Sequence, residues 1–137
     1  MNLKHKRVII SGAAGGLGRA FAQAFAKAGA SVIVADINAQ GADETAHSIM
    51  ESGGTAFAHC VNVTNEASCA ALMAFANAQL GGLDVLINNA GYGVPGKLTA
   101  PTWQQHADFI QVLMTAPVEL CYLLLPGMQQ RSYGRIV

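Results

Sequence analysis

Short apolar runs rich in Val and Ile alternate along this chain with longer stretches whose apolar positions recur at helical spacing. Residues 7–10 form the first run, and a glycine-rich turn follows it. Between Leu17 and Lys27, the positions Leu17, Phe21, Ala24, Phe25 and Ala28 recur at helical spacing, and Gly29 stops the predicted helix. Residues 31–36 predict a second strand, and Asn38 is placed to cap a helix running to about Ser52, ended by Gly53 and Gly54. Residues 55–61 read as a third strand, and Thr64 or Asn65 caps a helix reaching about Leu80. After Gly81 and Gly82, residues 83–88 predict a fourth strand. A loop with Gly91, Gly93, Pro95 and Gly96 leads into helical pattern from about Thr102 to Gln130, broken or bent near Pro117. Residues 134–137 begin a fifth strand.

Apolar strands alternating with helices and bounded by short turns imply a parallel sheet covered on both faces, a doubly wound α/β fold. Right-handed crossovers then put ligands beyond the carboxyl ends of the strands. No repeat, low-complexity tract or linker divides residues 1–137, so one domain is expected.

Composition narrows the function classes. The chain is 52% hydrophobic and 12% charged, which excludes intrinsic disorder. Eight basic and eight acidic side chains cancel, so charge gives no reason to expect a nucleic-acid partner. Three cysteines without a Cys-x-x-Cys pair argue against a disulfide scaffold or zinc knuckle; Cys60, Cys69 and Cys121 read as small core residues. His5, His47, His59 and His106 do not stand at metal-ligand spacing, so no metal site is expected. Lys4 to Arg7 ahead of Val8, Ile9 and Ile10 imitates a signal peptide, but Gly12, Gly15, Gly16 and Gly18 interrupt the apolar helix it would need. The stretch from Ile110 to Met128 has the length of a membrane span, yet Gln111, Pro117, Glu119 and Pro126 lie inside it. A buried helix of a soluble, cytoplasmic protein is expected, without a membrane partner.

Candidate chemistry gathers between the first strand and the first helix, at Ser11-Gly12-Ala13-Ala14-Gly15-Gly16-Leu17-Gly18. Gly12 lets the chain reverse, Gly16 lets backbone amides approach a pyrophosphate, and Gly18 lets helix pack close to strand. The helix start points its positive dipole end at that anion. Asp36 ends the second strand 18 residues beyond Gly18, near the spacing of about 20 expected for a ribose-binding acid. Neither Gly-x-Gly-x-x-Gly nor a Walker-type Gly-Lys-Ser/Thr is present, so phosphoryl transfer is not indicated.

The motif that stands is Ser-Gly-x-x-x-Gly-x-Gly. Together with Asn88-Asn89-Ala90-Gly91, Asn62-Val63, Leu125-Pro126-Gly127-Met128 and Gly134-Arg135-Ile136-Val137, it resembles the short-chain dehydrogenase/reductase family across essentially the whole chain. The resemblance implies a Rossmann-like sheet of about five strands, truncated after the fifth, that binds NAD. By it, Gly12, Gly16, Leu17 and Gly18 would form the loop at the pyrophosphate and nicotinamide side, with Ser11 in place of the more usual threonine. Asp36 would accept from the adenosine ribose hydroxyls, with Ile37 against the adenine. Asn62 and Val63 would line the adenine pocket, and Asn89, Ala90 and Gly91 would pack beside the ribose. Asn88 and Asn89 have an equal claim to satisfying buried backbone groups, Asn89 tying the central strands together. NADP is disfavoured, because a 2′-phosphate would meet like charge at Asp36 and Ile37 supplies no compensating arginine.

Hydride transfer in that family uses a serine and a tyrosine with a lysine four residues later. A phenol titrating near 10 is a poor base unless a cation stabilises its anion. Here Tyr92, Tyr122 and Tyr133 are followed at that spacing by Gly96, Pro126 and Val137, so no catalytic residue is assigned. Leu113 stands where the family has its active-site asparagine. The expectation is the cofactor-binding half of an NAD(P)-dependent oxidoreductase of alcohols and carbonyls, inactive alone and meeting such a substrate only if completed. The alternative is a non-catalytic nucleotide-binding or subunit-interaction protein derived from that family. Self-association through the long apolar helix is also expected.

Overall fold

The computed structural model describes residues 3–137. Five parallel strands form one sheet in the order β3-β2-β1-β4-β5. They are β1 (Arg7–Ser11), β2 (Ser31–Asp36), β3 (Thr55–Cys60), β4 (Val85–Ile87) and β5 (Arg135–Ile136). The helices are α1 (Gly16–Lys27), α2 (Ala39–Glu51), α3 (Glu66–Leu80), α4 (Trp103–Ile110) and α5 (Ala116–Gln130), with a π-helical turn, Gln111–Thr115, joining the last two.

Strands buried on both faces need apolar residues throughout, and alternate residues serve opposite layers. Val8, Ile10, Val32 and Val34 pack toward α1 and α2, with Ala22, Ala26, Ala46 and Ile49. Ile9, Ile33 and Leu86 pack toward α3 and α5, with Leu72, Leu120 and Leu124. Local caps set the helix starts. Asn38 Oδ1 accepts from the Gly41 N–H (3.1 Å), Asn65 Oδ1 from Ser68 (2.8 Å), and Thr102 and Gln105 form a reciprocal capping box. Thus Asn65, and not Thr64, caps α3.

Four expectations need correction. In α1 the buried residues are Gly18, Ala22 and Ala26, while Leu17 and Phe21 are 70% and 38% exposed. Small side chains let the helix lie close to β1, and a larger stripe would hold it away. The fourth strand is shorter than its apolar run: Asp84 turns its carboxylate onto the Arg7 N–H (3.1 Å), and Asn88 lies past its end. The break expected near Pro117 in the long helix does stand there, as the π-helical turn Gln111–Thr115: Pro117 offers no N–H to the Leu113 carbonyl four residues back, and the ladder widens. That helix is not buried as a whole. Ala116, Leu120, Leu124 and Met128 form its one buried stripe, and only 17% of its most apolar window is inside the protein. Of the cysteines, Cys69 is buried and Cys121 half-buried, but Cys60 is exposed at the outer edge strand.

Candidate functional site

The strand order reverses between β1 and β4, and connections leave in opposite directions from their carboxyl ends. A cavity of about 560 Å³ opens there. Gly12, Gly16, Leu17, Gly18, Asp36, Ile37, Asn62, Val63, Asn89, Ala90 and Gly91 all line it, so the structure brings together every site residue singled out from the sequence. Gly15, Val61, Tyr92 and Val112 complete the wall.

The glycine loop has the shape that its residues alone permit. Gly12 has φ +68°, and a Cβ on it would lie 2.8 Å from Ala90 Cα. Ser11, buried at the end of β1, ties the loop to the turn after β4. Its hydroxyl oxygen accepts from the Asn89 N–H (3.1 Å) and the Ala90 N–H (3.0 Å). Asn89 Nδ2 returns the tie, donating to Ser11 O (3.1 Å) and Gly12 O (3.0 Å). Asn89 therefore does bind buried backbone. Asn88 does not: among the described residues its Nδ2 reaches only Cys121 Sγ (3.9 Å), and its buried Oδ1 has no partner.

Two features set the electrostatics of the cavity. Gly15 precedes α1 without a side-chain cap, no acid stands in the first turn, and among the described residues nothing accepts from the N–H groups of Gly16, Leu17 and Gly18. Free donors at the positive end of a helix form an anion site. Opposite them, the Asp36 carboxylate is fixed by two backbone donors, Ala14 N–H to Oδ2 and Asn38 N–H to Oδ1, both 2.9 Å. Each oxygen keeps a lone pair for a further donor. Uncapped amides beside a fixed carboxylate fit a ligand that joins a pyrophosphate to a ribose diol.

On the far wall, Tyr92 packs edge-on against Phe109 of α4, ring centroids 5.6 Å apart. Leu113 of the π turn presses on Gly91, where an added Cβ would lie 2.9 Å from Leu113 Cδ2. Sequence spacing carries no signal for Tyr92 or Val112 as wall residues. Tyr92 follows Gly91 in the loop after β4, and Val112 reaches the cavity because the long helix packs back against that loop. Asn62 holds its own turn, Oδ1 accepting from Thr64 N–H (3.0 Å) and Thr64 Oγ1 (2.7 Å).

Burial shifts two reactive side chains outside the cavity, Cys69 and His59. Burial, with the charge of Glu119 second, pushes the Cys69 thiol up to about 11, so it stays protonated at neutral pH. Burial lowers His59, which stacks on Phe75 at 4.6 Å. Among the described residues no cluster of His, Cys, Asp and Glu could hold a metal ion.

The family model for short-chain dehydrogenases matches residues 6–137. This chain belongs to the short-chain dehydrogenase family. The 7α-hydroxysteroid dehydrogenase of Escherichia coli K12 is 39% identical over the whole chain, which covers 53% of that protein. A solved 7α-hydroxysteroid dehydrogenase, complexed with NADH and 7-oxo glycochenodeoxycholic acid, matches with TM-score 0.94 at 38% identity, over 98% of this chain and 52% of that one. A metagenomic short-chain oxidoreductase in complex with NADP matches with TM-score 0.92 at 28% identity, over 98% and 61% of the two chains. The chain spans about half the length of the curated relatives it matches. Short-chain dehydrogenases use a nicotinamide cofactor, and these two solved relatives carry NADH in one case and NADP in the other.

Proposed function

We propose that this chain binds a nicotinamide dinucleotide in the cavity at the β1–β4 switch point, NAD in preference to NADP, and serves as the cofactor-binding half of an alcohol or carbonyl oxidoreductase. The observation that carries the reading is the pairing, in one cavity, of the uncapped α1 start with the fixed Asp36 carboxylate. The amides of Gly16, Leu17 and Gly18 hold the pyrophosphate, and Asp36 accepts from the adenosine ribose hydroxyls. Ile37, Asn62 and Val63 receive the adenine, and Asn89, Ala90 and Gly91 stand at the ribose. The dinucleotide, when bound, supplies the hydride donor or acceptor. A 2′-phosphate beside Asp36 meets like charge and no arginine at position 37, which favours NAD.

The long helix supports a second element of the reading, self-association. Ile110, Met114, Val118 and Tyr122 recur every fourth residue on its exposed side, the side opposite the buried stripe. Three unpaired cysteines favour the reducing cytoplasm as its compartment.

Calorimetric titration of the chain with NAD and with NADP is the test. We expect NAD to bind at least about tenfold more tightly, and Asp36→Asn to weaken NAD and narrow the gap. Tighter NADP binding by the unmodified chain would overturn the assignment of Asp36.

A further inference from the structure

We propose that Arg19 and Thr45 form a latch behind the glycine loop that sets the choice between NAD and NADP, an inference that rests on the dinucleotide site proposed above. Ala14 is the residue they hold. Its N–H donates to Asp36 Oδ2 (2.9 Å), and its carbonyl accepts from Arg19 Nη2 (2.6 Å) and the Thr45 hydroxyl (3.4 Å). Arg19 Nε donates in turn to Thr45 Oγ1 (2.9 Å), and Nη2 lies 3.7 Å from Glu44 Oε2. The carboxylate on the cavity side and the guanidinium behind it therefore grip the two ends of one residue.

Two observations single out this arrangement. Thr45 is 0% exposed on the buried side of α2, among Ala42, Ala46 and Ile49, where a hydroxyl is costly unless it is bonded. Both of its bonds run to the latch, to Ala14 and Arg19, and none to its own helix. Gly41 closes the third side, since a Cβ there would lie 2.8 Å from Ala14 Cβ. Ala14 is thus held at its N–H, its carbonyl and its Cβ, and through its N–H it orients the Asp36 carboxylate together with Asn38.

The consequence for selectivity follows from charge. Arg19 is the one basic residue between Ser11 and the middle of α1. Its guanidinium could pair with a 2′-phosphate if it were free, but Thr45, Glu44 and the Ala14 carbonyl engage it, and it is not among the residues that line the cavity. Discrimination against NADP thus has two parts, a repelling carboxylate held in place and a compensating cation held back.

The experiment measures NAD and NADP affinities by calorimetry for the 137-residue chain and its variants. Thr45→Val keeps the shape and removes the hydroxyl. We expect it to raise NADP affinity relative to NAD at least fivefold, whereas Thr45→Ser keeps the original ratio. The gain should disappear in Thr45→Val/Arg19→Ala, because it needs the released guanidinium. Should Thr45→Val fail to fold, Glu44→Gln on an exposed side chain replaces it, with a shift of at least twofold in the same direction that Arg19→Ala again abolishes. A ratio indifferent to these changes in folded protein, or a gain that survives Arg19→Ala, overturns the latch alone. Failure of the unmodified chain to bind either nucleotide overturns the dinucleotide reading and the latch with it.

Discussion

At Gly18 an added Cβ would lie 2.1 Å from Gly12 O and 2.6 Å from Asn89 Nδ2. Both atoms belong to the tie between β1 and the turn after β4, so neither can give way without breaking it. Gly15, three residues earlier, has nothing within 4 Å of its absent Cβ. The two glycines therefore separate steric need from mere permission. Gly18→Ala should lower stability by about 2–3 kcal/mol, in the range of overpacking, and remove nucleotide binding. Gly15→Ala should stay within about 0.5 kcal/mol of the parent, as an open position allows. Urea unfolding of both variants checks this. Equal stabilities would show that α1 can move away from the loop at little cost.

The strands are held in register at their amino ends by one ion pair and its neighbours. Arg7 Nε and Nη2 donate to Asp84 Oδ2 (2.9 Å) and Oδ1 (2.7 Å), and Nη1 donates to Gly81 O (3.0 Å) at the end of α3. The Asp84 carbonyl accepts from the Arg135 N–H (2.9 Å) of β5, and Arg131 at the end of α5 donates to Leu83 O. One acid thus joins β1, β4 and β5. The Arg7 guanidinium, mainly through its side-chain hydrogen bonds, holds the Asp84 carboxyl below the usual carboxylate range, against burial, which pushes it up. A lowered folded value means stability that is present above the unfolded value near 4 and lost as pH falls through the folded one. Asp84→Asn should cost about 3 kcal/mol at neutral pH, because it leaves Arg7 without its partner. It should also flatten the acid limb of the stability curve below about pH 4. Denaturant titrations between neutral and acid pH measure both, and an acid limb unchanged by Asp84→Asn would assign that limb to other carboxylates.

At the scale of the whole molecule, the apolar surface is unevenly shared. The long helix spends Ala116, Leu120, Leu124 and Met128 on the core and leaves Ile110, Met114, Val118 and Tyr122 on the opposite side in solvent. Exposed apolar patches of more than a few hundred Å² mark association surfaces. Sedimentation velocity over a range of concentrations should show reversible self-association, and Val118→Glu with Tyr122→Glu should return the chain to monomer without changing its circular dichroism. A dispersed monomer at every concentration would mean that this stripe is tolerated in water as it stands.

Much of this protein was legible in short windows of sequence. The β-branched runs and the caps at Asn38 and Asn65 act within a few residues, through dihedral preference or a local hydrogen bond, and the glycines from Gly12 to Gly18 and the acid at Asp36 stand out by their spacing. Their order along the chain then dictated the doubly wound sheet, because right-handed crossovers leave few other topologies. What only the tertiary structure decided lies between distant residues. Periodicity marked Leu17 and Phe21 in α1, but the closeness allowed at Gly18 turned Ala22 and Ala26 to the sheet instead. The cavity wall at Val112 depends on the long helix packing against the loop after β4, and the grips on Ala14 and Asp84 join residues 31 and 77 positions apart. Such pairings follow from which elements the packed fold sets side by side, and that proximity is not written in any window of the chain.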